Sequence, residues 1–388
     1  MKRLFWALAA ALMMFAPAAL AQTAQEITDT CTLSAVGKKT LGRMTDGQYQ
    51  TYWASSSGSY AYVEIEAEES VGGLYVQFYE DIAALEVQTA DDAGAWRTVA
   101  VSGGSFLNEY IALDAGTETV RIRPKDGKGR LFIAELHVFG EGDAPDWVQQ
   151  WEAPLDKADL LALAAHPDDE LLFLGGTIPY YAGEMGRKVQ VAYLVPTMPY
   201  RRLELLDGLW LCGVKNYPMI GHFPDKYQLT LKGMYAQKGW SRESVYRFVA
   251  ETYRACRPDV VVTQDVNGEY GHGAHRAAAD AAQAAIALAA DETYQEKMTH
   301  SEPWQVKKLY IHLYEQNPVK MDWREPLAAF GGQTAFDLAS RAFECHISQQ
   351  RTDYHVEDFG PYDNSKFGLA YSAVGEDVQK DDFFENLE

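Results

Sequence analysis

The stretch Leu161–Gly176, LALAAHPDDELLFLGG, constrains the fold of this chain more than any other. An apolar run stops at His166-Pro167-Asp168-Asp169-Glu170 and resumes as Leu171-Leu172-Phe173-Leu174. A short apolar run halted by a proline turn reads as a buried strand emptying into a loop. In an open α/β sheet, the carboxyl ends of the strands are where ligands and catalytic groups gather. One imidazole and two adjacent carboxylates at such an edge can supply metal ligands and a general base.

From Leu160 onward, strand patterns alternate with helical ones. Leu160–Ala165, Lys188–Val195 and Val260–Thr263 read as buried parallel strands, with Lys308–Leu313 strand-like beyond them. Gly175–Met185, Arg201–Leu211, Arg242–Cys256 and Arg276–Ala290 read as helices. This order predicts a doubly wound, Rossmann-like α/β domain with a mostly parallel sheet. The preceding region has another texture. Tyr60–Ile65, Leu74–Phe78, Thr119–Ile122 and Leu131–Phe139 are rich in β-branched and aromatic residues, with turn clusters between them. Short strands at that spacing predict an all-β sandwich of the jelly-roll kind over residues 28–140. Residues 141–159 read as a domain junction in which Trp147 and Trp151 want burial. The α/β domain and a C-terminal extension then fill residues 160–388, and a chain of 388 residues suits two domains.

Composition narrows the function classes. Hydrophobic residues make up 47% and aromatic residues 12%, which excludes global disorder. The formal net charge is -21, from 34 basic against 55 acidic residues, which opposes binding to nucleic acid or an anionic bilayer. Met1-Lys2-Arg3, the apolar Leu4–Phe15 and Ala19-Leu20-Ala21 together read as a signal peptide over residues 1–21. The mature chain is therefore expected to be exported, whether secreted, periplasmic or at the cell surface. No later stretch is long and apolar enough to span a bilayer. The four cysteines lack CxxC spacing, and the sequence leaves open one disulfide among Cys212, Cys256 and Cys345.

A second motif follows the strand Val260–Thr263: Asn267-Gly268-Glu269-Tyr270-Gly271-His272-Gly273-Ala274-His275-Arg276. It too falls at the carboxyl edge of the sheet. Residues at i and i+3 share a helical face, so His272 and His275 can point at one spot. Two histidines, one or two aspartates and an open position make the ligand set of a catalytic zinc site. A neighbouring carboxylate that does not ligate can then take a proton from water. Asp168 and Asp169 taken alone would pass as helix caps, and the histidines as surface residues; their joint placement at strand ends points to a metal. His312 and His346 read as structural and are left outside the site.

AHPDDE after a strand, followed roughly a hundred residues later by G-x-Y-G-H-x-x-H opening a helix, resembles the PIG-L/LmbE-like zinc-dependent N-acetylglucosaminyl deacetylases. Arg201-x-x-Glu204-x-x-x-Gly208-x-x-x-Cys212-Gly213-Val214 resembles that family's R-x-x-E-x-x-x-A-x-x-x-L-G-V helix, and Phe223-Pro224-Asp225 its short substrate loop. The likeness spans Ala158–Ala290. It implies that His166, Asp169 and His275 ligate zinc, that Asp168 is the general base, and that His272 stabilises charge or acts as the acid. It further implies that Tyr270 hydrogen-bonds the oxyanion and that Arg201 and Asp225 contact substrate. One departure stands out: the family reads H-P-D-H where this chain has His272-Gly273-Ala274-His275, without the central Asp.

Two further segments, Met44-Thr45-Asp46-Gly47…Thr51-Tyr52-Trp53 and Ile133–Gly140, resemble the discoidin-like, galactose-binding-like fold. The resemblances together imply an exported zinc hydrolase that removes acetyl from an N-acetylated amino sugar, free or in a glycan. The high negative charge weighs against an anionic lipid-linked substrate. The alternative is a non-enzymatic glycan-binding protein with a relic metal site.

Overall fold

The computed structural model describes residues 22–36, 40–80, 84–91, 93–114, 117–295, 299–300, 302–350 and 353–387. The signal peptide expected at residues 1–21 lies outside them. Strands before the junction are β1 (Thr32–Ser34), β2 (Trp53–Ala54), β3 (Val63–Glu66), β4 (Gly73–Phe78), β5 (Leu85–Ala90), β6 (Trp96–Val101), β7 (Asn108–Ala112), β8 (Thr119–Pro124) and β9 (Phe132–Phe139). They form two antiparallel sheets, ordered β1-β3-β8-β5-β6 and β2-β9-β4-β7. Val63, Ile65, Val87 and Ile122 from one sheet share a core with Trp53, Leu74, Val76 and Leu136 from the other. β6 escaped sequence reading because most of its residues are exposed, leaving no apolar alternation.

Beyond the junction lie strands β10 (Leu160–Ala164), β11 (Val189–Tyr193), β12 (Met219–Ile220), β13 (Val260–Thr263), β14 (Lys308–His312), β15 (Pro318–Lys320) and β16 (Lys366–Ser372). The helices are α1 (Asp169–Leu172), α2 (Pro199–Leu211), α3 (Leu231–Tyr235), α4 (Arg242–Cys256), α5 (Gly273–Ala290) and α6 (Ala335–Glu344). The sheet runs β12-β11-β10-β13-β14-β16-β15, parallel as far as β14 and antiparallel at β16 and β15. Where Gly175–Met185 suggests an ordinary helix, the chain makes a wide turn at Pro179–Glu184, with Met185 N bonded to Tyr180 O at 2.9 Å.

Helices cover both faces of this sheet, and the side-chain alternation of β10 shows why. Leu160, Ala162 and Ala164 enter the core shared with α2 and α6, whereas Leu161, Leu163 and Ala165 enter the core shared with α4 and α5. Each fully buried leucine contributes roughly 1.5–3 kcal/mol from its removal from water. A strand apolar on every residue therefore has no solvent face to offer. On α2, Gly208 lets α6 approach closely; a Cβ there would stand 3.0 Å from Ala342 O. Opposite, Ala-rich α5 packs against α4, and the buried Arg254 side chain donates to Ala289 O at 3.0 Å at the end of α5.

The two parts of the chain meet on α2. Asp207 accepts from Tyr49 Oη at 2.8 Å and from Gln149 Nε2 at 2.5 Å. Of the two junction tryptophans, Trp151 is buried, but Trp147 remains 46% exposed, its ring held edge-on by Tyr75 and His137. All four cysteines are free thiols, so the disulfide left open by the sequence does not form.

Candidate active site

β10 and β13 are parallel neighbours, paired from Leu160↔Val260 to Leu163↔Thr263, so the loops after them emerge side by side. A buried amide ties the two exits together: Gln264 Oε1 accepts from Ala165 N at 2.7 Å. The first loop carries His166–Asp169 and the second carries Glu269–His275. All of the aspartates and histidines in them are at most 8% exposed.

Asp169 sits at the centre. Its Oδ2 lies 3.0 Å from His166 Nδ1 and 3.3 Å from His275 Nε2. Donor atoms about 2.0–2.2 Å from a tetrahedral zinc stand roughly 3.3 Å from one another, so this trio fits such an ion. His166, His272 and His275 also bring one ligand atom each within 4.8 Å of one another. The hydrogen bonding separates the three rings. His275 Nδ1 faces Glu269 Oε2 at 2.8 Å, which leaves its Nε2 on the side of Asp169. His272 is the N-cap of α5, and its Nδ1 accepts from Ala274 N at 3.3 Å. A neutral ring that accepts at Nδ1 carries its proton on Nε2 and is a donor there.

Burial alone would raise Asp169, but the His275 and His166 rings hold its carboxyl well below the ordinary range. Burial would likewise lower His275, yet Asp169 and Glu269 outweigh it and raise the ring to about 10. Burial, with the His166 and His275 rings beside it, pushes His272 down to about 3 and keeps it neutral.

Asp168 faces a different partner. Its Oδ2 accepts from an Arg201 guanidinium nitrogen at 2.9 Å, and the same nitrogen bonds Pro167 O at 2.7 Å. Burial pushes this carboxyl up to about 8 against the pull of Arg201, with Asp169 adding to the rise. The backbone at Asp168 has φ 104, a conformation that costs a non-glycine residue of order 1–3 kcal/mol. It is held by Asp168 N donating to Glu170 Oε2 at 2.9 Å. Tyr270 also has positive φ, at 43, and places its hydroxyl 3.4 Å from His275 Nε2. Burial, together with Asp169 and Asp168, pushes that hydroxyl upward, so it stays protonated and can donate. At Gly268, a Cβ would meet His272 O at 2.4 Å, so the turn presenting Tyr270 admits no side chain there.

A pocket of about 170 Å³ opens on these groups, lined by His166, Asp168, Asp169, Arg201, Tyr270 and His272 with Asp225, Gln349 and Tyr354. Every residue singled out from the sequence thus lines it except His275, which is fully buried beside Asp169. Asp225 is half exposed, 3.9 Å from His166 Nε2. Arg201 is engaged with Asp168, which makes it a partner of that carboxylate as well as a pocket wall.

Sequence reasoning missed Gln349 and Tyr354 in the pocket wall, and Glu269 and His312 behind it. Glu269 accepts from His275 and also lies 2.6 Å from His312 Nδ1, while His312 Nε2 faces Asp363 O at 3.2 Å. His312, set aside as structural, therefore belongs to the network that orients a donor ring. Burial would raise Glu269, but the bonds from His275 and His312 bring it down to about 2. A carboxylate inside the G-x-Y-G-H motif was the available signal for Glu269. His312 had none, because β14 is brought beside β13 only by the sheet.

The PIG-L family model, described as GlcNAc-PI de-N-acetylase, matches residues 161–286. A 1D-myo-inositol 2-acetamido-2-deoxy-alpha-D-glucopyranoside deacetylase of Geodermatophilus obscurus is 31% identical over 207 residues, 46% of this chain and 68% of the relative. The Streptomyces scabiei enzyme of the same name is 30% identical over 177 residues, covering 39% of this chain and 54% of its own. The chain thus spans between about half and two thirds of the length of such curated relatives. A conserved protein of Thermus thermophilus aligns with TM-score 0.38 at 25% identity, over 50% of this chain and 80% of that one. On its sequence match and its shared motifs, this chain belongs to the PIG-L family of deacetylases.

Proposed function

We propose that this protein is a zinc-dependent hydrolase that removes the acetyl group from an N-acetylated amino sugar, free or within a glycan, releasing acetate. The observation that carries this reading is the separation of the two adjacent aspartates. Asp169 converges with His166 and His275 on one point, while Asp168 turns away to Arg201. One carboxylate is thereby a ligand and the other is left to move a proton.

His166, Asp169 and His275 would hold the zinc, which when bound polarises an amide carbonyl and acidifies water. Asp168, lining the pocket and held by Arg201, is placed to take the proton of the water that attacks the acetyl carbon. The hydroxyl of Tyr270 and the Nε2–H of His272 are donors for the oxygen on which negative charge develops. Collapse breaks the C–N bond, and protonated Asp168 returns its proton to the leaving nitrogen, giving acetate and a free amine. With Nδ1 accepting from Ala274 N, the His272 ring presents Nε2–H to the pocket, which suits the charge-stabilising role.

The names of the relatives support an acetamido-glucose unit as the group recognised. The basic-apolar leader supports a site of action outside the cytoplasm, and the β-rich N-terminal part fits a discoidin-like module beside the enzyme. Among the described residues, no helix is long and apolar enough to cross a membrane. The test is acetate release from N-acetylglucosamine, chitin oligomers and muropeptides, with and without a chelator. Chelator-sensitive release restored by zinc is expected. Zinc-replete protein inert on the whole panel, yet retaining glycan binding, would replace this reading with the binding-protein alternative.

A further inference from the structure

The pocket is completed from outside the region that defines the family. Gln349 and Tyr354 line it, and both come from the C-terminal segment beyond residue 286. That segment is fastened to α2. Ser348 donates to Glu204 on α2 through its backbone N at 2.9 Å and its hydroxyl at 2.6 Å. On the far side, Val356 is buried in the core. Tyr354 stands between these anchors, 38% exposed, its ring centroid 5.0 Å from that of Tyr270 and tilted by 34°.

Tyr270 in turn lies 5.6 Å from the His272 ring, and His272 lies 5.3 Å from Tyr227, which is 68% exposed. The rings thus form an unbroken run, Tyr227–His272–Tyr270–Tyr354, whose inner members face the reacting groups and whose outer members are open to solvent. A cavity of about 170 Å³ is smaller than the roughly 300–1,000 Å³ of pockets that engulf a drug-sized ligand. It has room for the acetamido end of one sugar ring, and whatever is linked to that ring must lie at the mouth. Tyrosine offers there an apolar face with a polar tip, at little entropic cost.

We propose that Tyr354 and Tyr227 form a stacking subsite for the ring attached to the acetylated amino sugar, so that the protein prefers a glycoside of that sugar over the free monosaccharide. This rests on the deacetylase reading above and adds its specificity. Zinc-loaded full-length protein should show a higher kcat/KM for the β-1,4-linked dimer of N-acetylglucosamine than for the monomer. Tyr354→Ala and Tyr227→Ala should each cut that ratio about tenfold, mainly through KM for the dimer, a change of about 1.4 kcal/mol. Tyr354→Phe should retain the ratio, since it keeps the ring. An unaltered ratio in both Ala variants, or an equal loss on monomer and dimer, would overturn the proposal.

A binding arm separates this from the deacetylase reading. Dimer affinity is measured by calorimetry on zinc-loaded Asp168→Asn, with and without Tyr354→Ala. If no substrate releases acetate but the dimer binds and Tyr354→Ala weakens it about tenfold, the chemistry falls and the subsite stands. If Tyr354→Ala leaves dimer affinity unchanged, the subsite falls whatever the chemistry.

Discussion

Glu269 Oε2 lies 2.8 Å from Nδ1 of His275, and neither side chain is exposed to solvent. That bond fixes the tautomer of His275 and aims its other nitrogen at Asp169. Outer-shell carboxylates of this kind typically contribute 10–100-fold to metal affinity. Glu269→Gln should therefore weaken zinc by about 10–100-fold in competition with a chromophoric chelator. Unchanged affinity would mean that packing around His275, not Glu269, orients the ring.

The division of labour between the two aspartates predicts opposite phenotypes. Asp169→Ala and His166→Ala should strip the metal, read by elemental analysis. Asp168→Asn should keep about one zinc per chain and lose roughly 10²–10⁴-fold in turnover, the usual size of general-base help. Loss of zinc from the Asp168→Asn variant would show that the roles of the two neighbours are exchanged.

Tyr270 is expected to act on the transition state more than on the bound substrate. Its hydroxyl remains protonated at any working pH, so its contribution is a hydrogen bond to developing charge. Tyr270→Phe keeps the ring contacts to His275 and Tyr354 while deleting the donor. Turnover should fall by about 10²–10³-fold with KM little changed, as for the loss of one oxyanion donor. A rise in KM at constant kcat would reassign Tyr270 to substrate binding.

Much of this site was legible in the sequence because its two halves follow strands that are apolar on every residue. Leu160–Ala164 and Val260–Thr263 read as interior strands, and the polar residues that follow parallel neighbours gather at one edge. What was illegible depends on tertiary neighbours. His312 enters the network only because β14 lies next to β13, with Thr263 opposite Ile311. Gln349 and Tyr354 reach the pocket only because Ser348 is bonded to Glu204. The start of α5 at Gly273, ahead of the expected Arg276, follows from His272 capping it with a ring nitrogen, a use of histidine that no composition rule flags.

The contact between the two parts of the chain carries a pH dependence with a definite sign. Burial pushes the Asp207 carboxyl from its ordinary 3.8 up to about 7, while Tyr49 and Gln149 donate to it and pull the other way. Between those two values the folded chain binds a proton that the unfolded chain has released. The folded state is thus favoured at low pH, and that advantage drains away as pH rises through about 4 to about 7, by at most about 1.4 kcal/mol per pH unit. Glu135, raised by burial to about 7 while it accepts from Gln48 N at 2.9 Å, adds in the same direction. Thermal unfolding of the metal-free protein should therefore give a higher Tm at pH 5 than at pH 8. Asp207→Asn, which mimics the protonated acid, should shrink that difference, with most of the change appearing at pH 8. A variant whose Tm tracks pH as steeply as the parent would show that Asp207 is not the group that titrates at this contact.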